Sequence, residues 1–218
     1  MKHILEADSI QFEIKGRKLL SDIYLKCETG KITGLLGRNG QGKSCLMNIV
    51  YGTLGTEKSV RIDNVAKYKA FKEPLLIRYA PQFNFIPGFL SVNEVLSQFN
   101  IDGSDLVALF PDGELSLKTR LKNLSGGFRR LVEIYVIIMS PSYFVLLDEP
   151  FTHLSPVQIE KIKELIIKEK SSKGFLITDH MYHHVLDVSD SLYVLTDAKT
   201  YLTKSVLDIE ALGYAKTV

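Results

Sequence analysis

The chain has 218 residues, of which 45% are hydrophobic and 24% charged, and its formal net charge is +2. That is ordinary globular usage with enough apolar material for one large domain. It leaves no basic footprint for nucleic acid, and no uninterrupted apolar run approaches the ~20 residues a membrane helix needs. The stretch Met1-Lys2-His3-Ile4-Leu5-Glu6 lacks the apolar centre of a signal peptide, so a cytoplasmic protein is expected, with any membrane link made through a partner. Cys27 and Cys45 lack CxxC spacing and read as free thiols rather than a bridge or metal site.

In chain order, residues 3–14 and 19–27 alternate loosely, with Glu28-Thr29-Gly30 as a turn, and read as strands paired ahead of a glycine loop. Ile32–Leu36 is a short apolar strand. Gly37-Arg38-Asn39-Gly40-Gln41-Gly42-Lys43-Ser44 follows, and then Leu46, Met47, Ile49 and Val50 repeat at helical spacing. Val60–Ile62 and Leu76–Ala80 are further strands, the second ended by Pro81-Gln82. From Gln82 to Lys122 the character changes: Pro87, Gly88, Gly103, Pro111 and Gly113 punctuate short helical pieces, and the capping box Ser91-Val92-Asn93-Glu94 starts a helix at Val92.

Leu124-Ser125-Gly126-Gly127-Phe128 precedes an apolar helical set, Leu131, Val132, Ile134, Tyr135, Ile138 and Met139. Tyr143–Leu147 is an apolar strand of buried type, ending in Asp148-Glu149-Pro150. Ser155-Pro156-Val157-Gln158 combines a capping box with proline at the first helical position, and the helix should run to about Lys170. Phe175–Thr178 is the next strand, ending at Asp179-His180, and Ser191–Leu195 and Tyr201–Thr203 are final strands. This alternation predicts an α/β fold with a mostly parallel sheet core, an antiparallel β subdomain and a small inserted helical subdomain. Residues 1–218 form one domain on this reading, with the core at 1–81 and 140–218 and the helical subdomain at about 83–139.

The octapeptide 37–44 fits the phosphate-loop pattern GxxxxGK[ST], in the strand–loop–helix context that gives the pattern physical meaning. Glycines let the backbone curl and aim its N–H groups at phosphate oxygens, and the following helix adds the positive end of its dipole. Lys43 should reach the β- and γ-phosphates, and Ser44 should place its hydroxyl on Mg²⁺. Cys45 directly follows and should lie near the nucleotide. Asp148, at a strand end, suits Mg²⁺, and Glu149 is placed to take a proton from attacking water.

With Leu124-Ser125-Gly126-Gly127 added, the sequence resembles the ATP-binding cassette ATPases, the motor subunits of ABC transporters, over nearly its whole length. Their signature reads LSGGQ, from which this chain departs at Phe128. Gln82 matches the family's Q-loop glutamine, Asp148 and Glu149 its Walker B aspartate and catalytic glutamate, and His180 its switch histidine. The resemblance implies a P-loop NTPase fold, ATP and Mg²⁺ as cofactors, and Gln82 beside Ser44 and Asp148 at the metal. It also implies two cassettes packed head to tail, with Ser125, Gly126 and Gly127 of one completing the γ-phosphate cage of the other. The partners implied are a second cassette, as a homodimer, and an integral membrane permease, which holds the ATPase at the inner face of the cell membrane.

The family stacks adenine on an aromatic residue, where this chain has Ile14. Phe12, expected on the same strand face, is the substitute. Phe128 replaces a polar residue expected beside the partner's nucleotide. Thr152-His153-Leu154-Ser155 ends in serine where the family's D-loop has aspartate, and the stretch from Gln82 to Leu124, which docks the membrane partner, is short. Phe175–His180 with Asp148–Phe151 looks most like cassettes of the lipopolysaccharide-transport and branched-chain amino-acid groups. A soluble cassette ATPase outside transport and an ATP-gated binding module remain as alternatives at this point.

Overall fold

The computed structural model describes residues 2–110, 115–203, 206–212 and 214. Pro111 and Gly113 lie outside these residues. The elements are β1 (Ile4–Asp8), β2 (Phe12–Ile14), β3 (Arg17–Leu20), β4 (Tyr24–Glu28), β5 (Ile32–Leu36), α1 (Lys43–Tyr51), β6 (Ser59–Ile62), β7 (Val65–Ala66), β8 (Ile77–Ala80), α2 (Val92–Gln98), α3 (Ser104–Ala108), α4 (Gly126–Met139), β9 (Phe144–Asp148), α5 (Pro156–Glu169), β10 (Gly174–Thr178), α6 (Tyr182–Val188), β11 (Ser191–Thr196), β12 (Lys199–Thr203) and α7 (Val206–Ala211).

A six-stranded sheet in the order β12-β11-β5-β10-β9-β8 forms the centre. Every neighbouring pair is parallel except β11 with β12. β5, β9 and β10 are buried along their whole length, as strands covered on both faces must be. Because side chains alternate across a strand, Phe144 and Leu146 of β9 enter one core with Leu46, Ile49 and Val50 of α1. Val145 and Leu147 enter the other, with Ile134, Ile138, Ile162 and Ile166 of α4 and α5.

The first core is closed by a second, antiparallel sheet, β4-β1-β6-β7, whose Leu5, Leu25, Cys27 and Ile62 are buried against it. Its edge hairpin turns through Asp63-Asn64, and β11 reaches β12 through Asp197-Ala198. All four residues have positive φ, the backbone that two-residue hairpins of this hand require. In the inserted stretch, α2 and α3 bury Val95, Leu96 and Leu106 in the same core as α4.

Both capping boxes form: Ser91 with Glu94 starts α2, and Ser155 with Gln158, followed by Pro156, starts α5. The strand expected at Tyr143 begins one residue later, because Tyr143 lies outside the ladder, stacked on His3 at 3.8 Å.

What positions the site is the shared direction of the parallel strands. β5 leads into residues 37–44, β8 into Gln82, β9 into Glu149 and β10 into His180. All four segments therefore leave the carboxyl edge of one sheet, where open α/β sheets bind ligands.

Candidate functional site

A cleft of about 570 Å³ opens at that edge, lined by Leu19, Asn39, Gly40, Gly42, Lys43, Ser44, Cys45, Gln82, Glu149, Thr152 and His180. The loop at its floor turns through Gly40 at φ 78° and Gly42 at φ 100°, a conformation natural to glycine. Gly42 is also the N-cap of α1. No side chain caps that end, and no acidic residue sits in the first turn, so the uncapped N–H groups and the positive dipole end face the cleft for an anion.

Lys43 is 6% exposed. Its Nζ donates to the Gly37 carbonyl at 2.6 Å and the Arg38 carbonyl at 3.3 Å, curled back along the loop. Burial lowers its pKa, while the carboxylates of Glu149, Asp148 and Asp179 pull it back up. Gly37 is pressed against β11, where a side chain would meet the Leu195 carbonyl at 2.7 Å. Arg38 and Gln41 line a neighbouring cavity of about 210 Å³ with Thr196, Asp197 and Tyr214, and Gln41 Oε1 accepts from the Arg38 amide at 2.8 Å. Cys45 lines the cleft half-buried, its thiol pushed up by burial. Cys27 is buried and pushed up to about 12 by burial. Both are free thiols.

Three polar groups converge on Glu149, two of them from distant parts of the chain. Gln82 Nε2 donates to Oε2 at 2.8 Å, His180 Nδ1 lies 3.1 Å from the same oxygen, and the Thr152 hydroxyl donates to it at 3.4 Å. Thr152 also lies 3.4 Å from His180 Nδ1. Asp179, 0% exposed, accepts from the Phe151 and Met181 amides, both at 2.9 Å, and so fixes the two loops that carry Thr152 and His180.

Asp148 lies behind the cleft, 1% exposed. Its Oδ2 accepts from the Tyr79 hydroxyl at 3.0 Å, which in turn accepts from Asn48 Nδ2 at 3.1 Å. Burial raises the Asp148 pKa, opposed by the hydroxyls of Ser44 and Tyr79. Tyr79 is itself driven above the usual phenol range by burial and by the Asp148 charge. Oδ1 of Asp148 is buried without a hydrogen-bond partner. A buried lone oxygen beside a serine hydroxyl is the hard donor set that Mg²⁺ takes, so these residues fit that ion.

Ser125, Gly126 and Gly127 do not line the cleft. They form the first turn of α4, where Ser125 Oγ accepts from the Phe128 amide at 3.3 Å. Gly127 has no room for a side chain, since a Cβ would meet the His153 carbonyl at 2.9 Å, whereas Gly126 faces open space. Phe128 is partly buried and packs edge-on against Phe110 at 5.3 Å. Ser155 closes the D-loop stretch as the N-cap of α5.

The expectation that Phe12 shares a face with Ile14 is corrected. The β2–β3 register shifts between Phe12 and Glu13, so Phe12 packs on the core while Ile14 stands 42% exposed. The leucine that lines the cleft beside the phosphate loop is Leu19. Leu19, Asn48, Tyr79, Arg130, Thr152 and Asp179 were not singled out from sequence. Thr152 in the D-loop stretch and Asp179 before the switch histidine lay in segments that the sequence marked, but with no role of their own.

The ABC transporter family profile matches residues 20–152. The lipopolysaccharide export system ATP-binding protein LptB of Haemophilus influenzae is 31% identical over 216 residues, covering 92% of this chain and 90% of that one. The galactose/methyl galactoside import ATP-binding protein MglA of Fusobacterium nucleatum is 26% identical over 227 residues, covering 96% of this chain, which spans 45% of that protein's length. Among solved structures, the ATP binding subunit of an ABC transporter superposes with a TM-score of 0.81 at 20% identity, covering 95% of this chain and 92% of that one. That likeness shows the same fold.

Proposed function

Since the chain belongs to the ABC transporter family as an ATP-binding, ATP-hydrolysing subunit, we propose that residues 37–45 hold the nucleotide and that Glu149, Lys43 and His180 carry the chemistry. The observation that carries this reading is the meeting of Gln82 and His180 on one oxygen of Glu149, in the cleft that Lys43 lines.

On binding ATP, Lys43 exchanges its contacts with the Gly37 and Arg38 carbonyls for the β- and γ-phosphates, which the first-turn N–H groups of α1 also hold. Glu149 accepts the proton of the attacking water, and His180 contacts the γ-phosphate. Ser44, Gln82 and Asp148 would hold Mg²⁺, which when bound offsets charge on the phosphates. Ser125, Gly126 and Gly127 face the nucleotide of a second copy of the chain, giving a head-to-tail homodimer with two ATP molecules between its halves.

The stretch from Gln82 to Leu124 docks an integral membrane partner, and Phe83 and Phe89, 71% and 67% exposed, are apolar contacts for it. No helix among the described residues is long and apolar enough to cross a membrane. The chain is then peripheral at the inner face of the membrane. The relatives' names split between lipopolysaccharide export and galactose import, so the reading rests on the cassette they share and not on one cargo.

Purified full-length chain is expected to release phosphate from Mg-ATP. Glu149→Gln is expected to lower that rate by about 100-fold or more while nucleotide binding persists. Equal rates for the two would overturn the assignment of Glu149.

A further inference from the structure

We propose that Arg130 is a positioning residue for ATP hydrolysis, holding the Gln82 and Glu149 segments together from inside the protein. Arg130 is 3% exposed and does not itself line the cleft. Nη1 donates to the Pro81 carbonyl at 2.6 Å, and Nη2 donates to the carbonyls of Asp148 at 2.9 Å and Glu149 at 3.2 Å. One planar fork therefore spans the ends of β8 and β9. The residue after the first acceptor is Gln82, whose amide reaches the Glu149 side chain.

The Glu149 backbone needs such a hold. Its φ is 51°, a sparsely populated region for a residue with a side chain, which persists only where the surroundings enforce it. Here its N–H donates to the Thr178 carbonyl at 2.7 Å, and its own carbonyl is held by Arg130. The loop after Pro81 is fastened again by the same helix. Arg129 Nη2 donates to the Ile86 carbonyl at 2.9 Å, and the buried Glu133 accepts from Arg129 Nε at 3.3 Å. Ser125 caps that helix five residues before Arg130, so the signature turn and the catalytic carboxylate are set by one rigid piece. A lysine carries its three donors on one nitrogen, and so cannot reach the Pro81 carbonyl and the Asp148 and Glu149 carbonyls from two fixed points as the planar fork does.

The proposal rests on Glu149 being the base, so the test includes it. In the full-length chain, kcat, KM and the affinity for a fluorescent ATP analogue are measured for Arg130→Met, Arg130→Lys and Glu149→Gln, and for Arg130→Met combined with Glu149→Gln. Arg130→Met is expected to lower kcat by about 10- to 100-fold, the scale of a small misplacement at a reacting centre, with affinity and KM within about threefold of wild type. Arg130→Lys should recover part of that loss. In the Glu149→Gln background, Arg130→Met should change the residual rate by less than about twofold, since it acts through the missing carboxylate.

Normal turnover by Arg130→Met beside an inactive Glu149→Gln would overturn the positioning role alone. Loss of nucleotide affinity together with turnover would make Arg130 a general structural prop and overturn it too. Wild-type turnover by Glu149→Gln would remove the base assignment, and the proposal with it.

Discussion

Asp148 is 1% exposed, with one oxygen held by Tyr79 and the other without a hydrogen-bond partner. Removing the Tyr79 hydroxyl leaves a buried carboxylate with less support, a loss of about 1–3 kcal/mol. Tyr79→Phe should therefore lower stability in chemical unfolding by that amount and raise the Mg²⁺ concentration needed for half-maximal phosphate release. An unchanged Mg²⁺ requirement would count against Asp148 at the metal.

The site's residues differ in how legible they were for a physical reason. Residues 37–44 are contiguous, so their chemistry can be read from spacing. Tyr79 reaches Asp148 across 69 positions, and Arg130 reaches Pro81 across 49. Contacts of that kind exist only after β8, β9 and α4 have packed, and an internal tyrosine or arginine carries no local mark of them. Leu19 was hidden in the same way, because the register shift at Phe12 is not written in the alternation of that short strand.

The start of α5 was readable because capping is local. Ser155 Oγ accepts from the Gln158 amide and Gln158 Oε1 accepts from the Ser155 amide. Ser155→Ala should cost about 1 kcal/mol, a fall of about 2–4 °C in thermal midpoint for a chain of this size. β4 ends in a charge cluster instead. Glu28 lies within 2.7–3.1 Å of Lys2, Lys26 and Lys31, and these lysines bring its pKa down from 4.5 to about 2. Since the folded value lies below the unfolded one, the stabilisation is complete above about pH 4.5 and is lost as pH falls toward 2. Glu28→Gln should flatten the decline in thermal midpoint across that interval, and a decline parallel to wild type would contradict the pairing.

In the whole molecule, the cleft and the glycine turn of α4 are separate surfaces. Ser125 and Gly126 present polar and open backbone away from the pocket, while Lys43, Glu149 and His180 occupy it. On the proposed reading, a single copy offers half of a γ-phosphate cage at each of two places, and a second copy turned head to tail would bring the halves together. On that reading ATP would belong to the interface, and its binding would favour association. The order of strands and helices, and so the sheet edge that gathers the cleft, followed from periodicity. The face proposed to receive a second copy did not, and rests on the likeness of residues 124–127 to the family signature.

The most direct measurement is the mass in solution, by light scattering, of Glu149→Gln with saturating Mg-ATP. The account predicts a particle of about twice the 24.6 kDa chain, returning to one chain when nucleotide is removed or Ser125 is replaced by arginine. A nucleotide-loaded protein that stays at one chain mass at every concentration tried would contradict it.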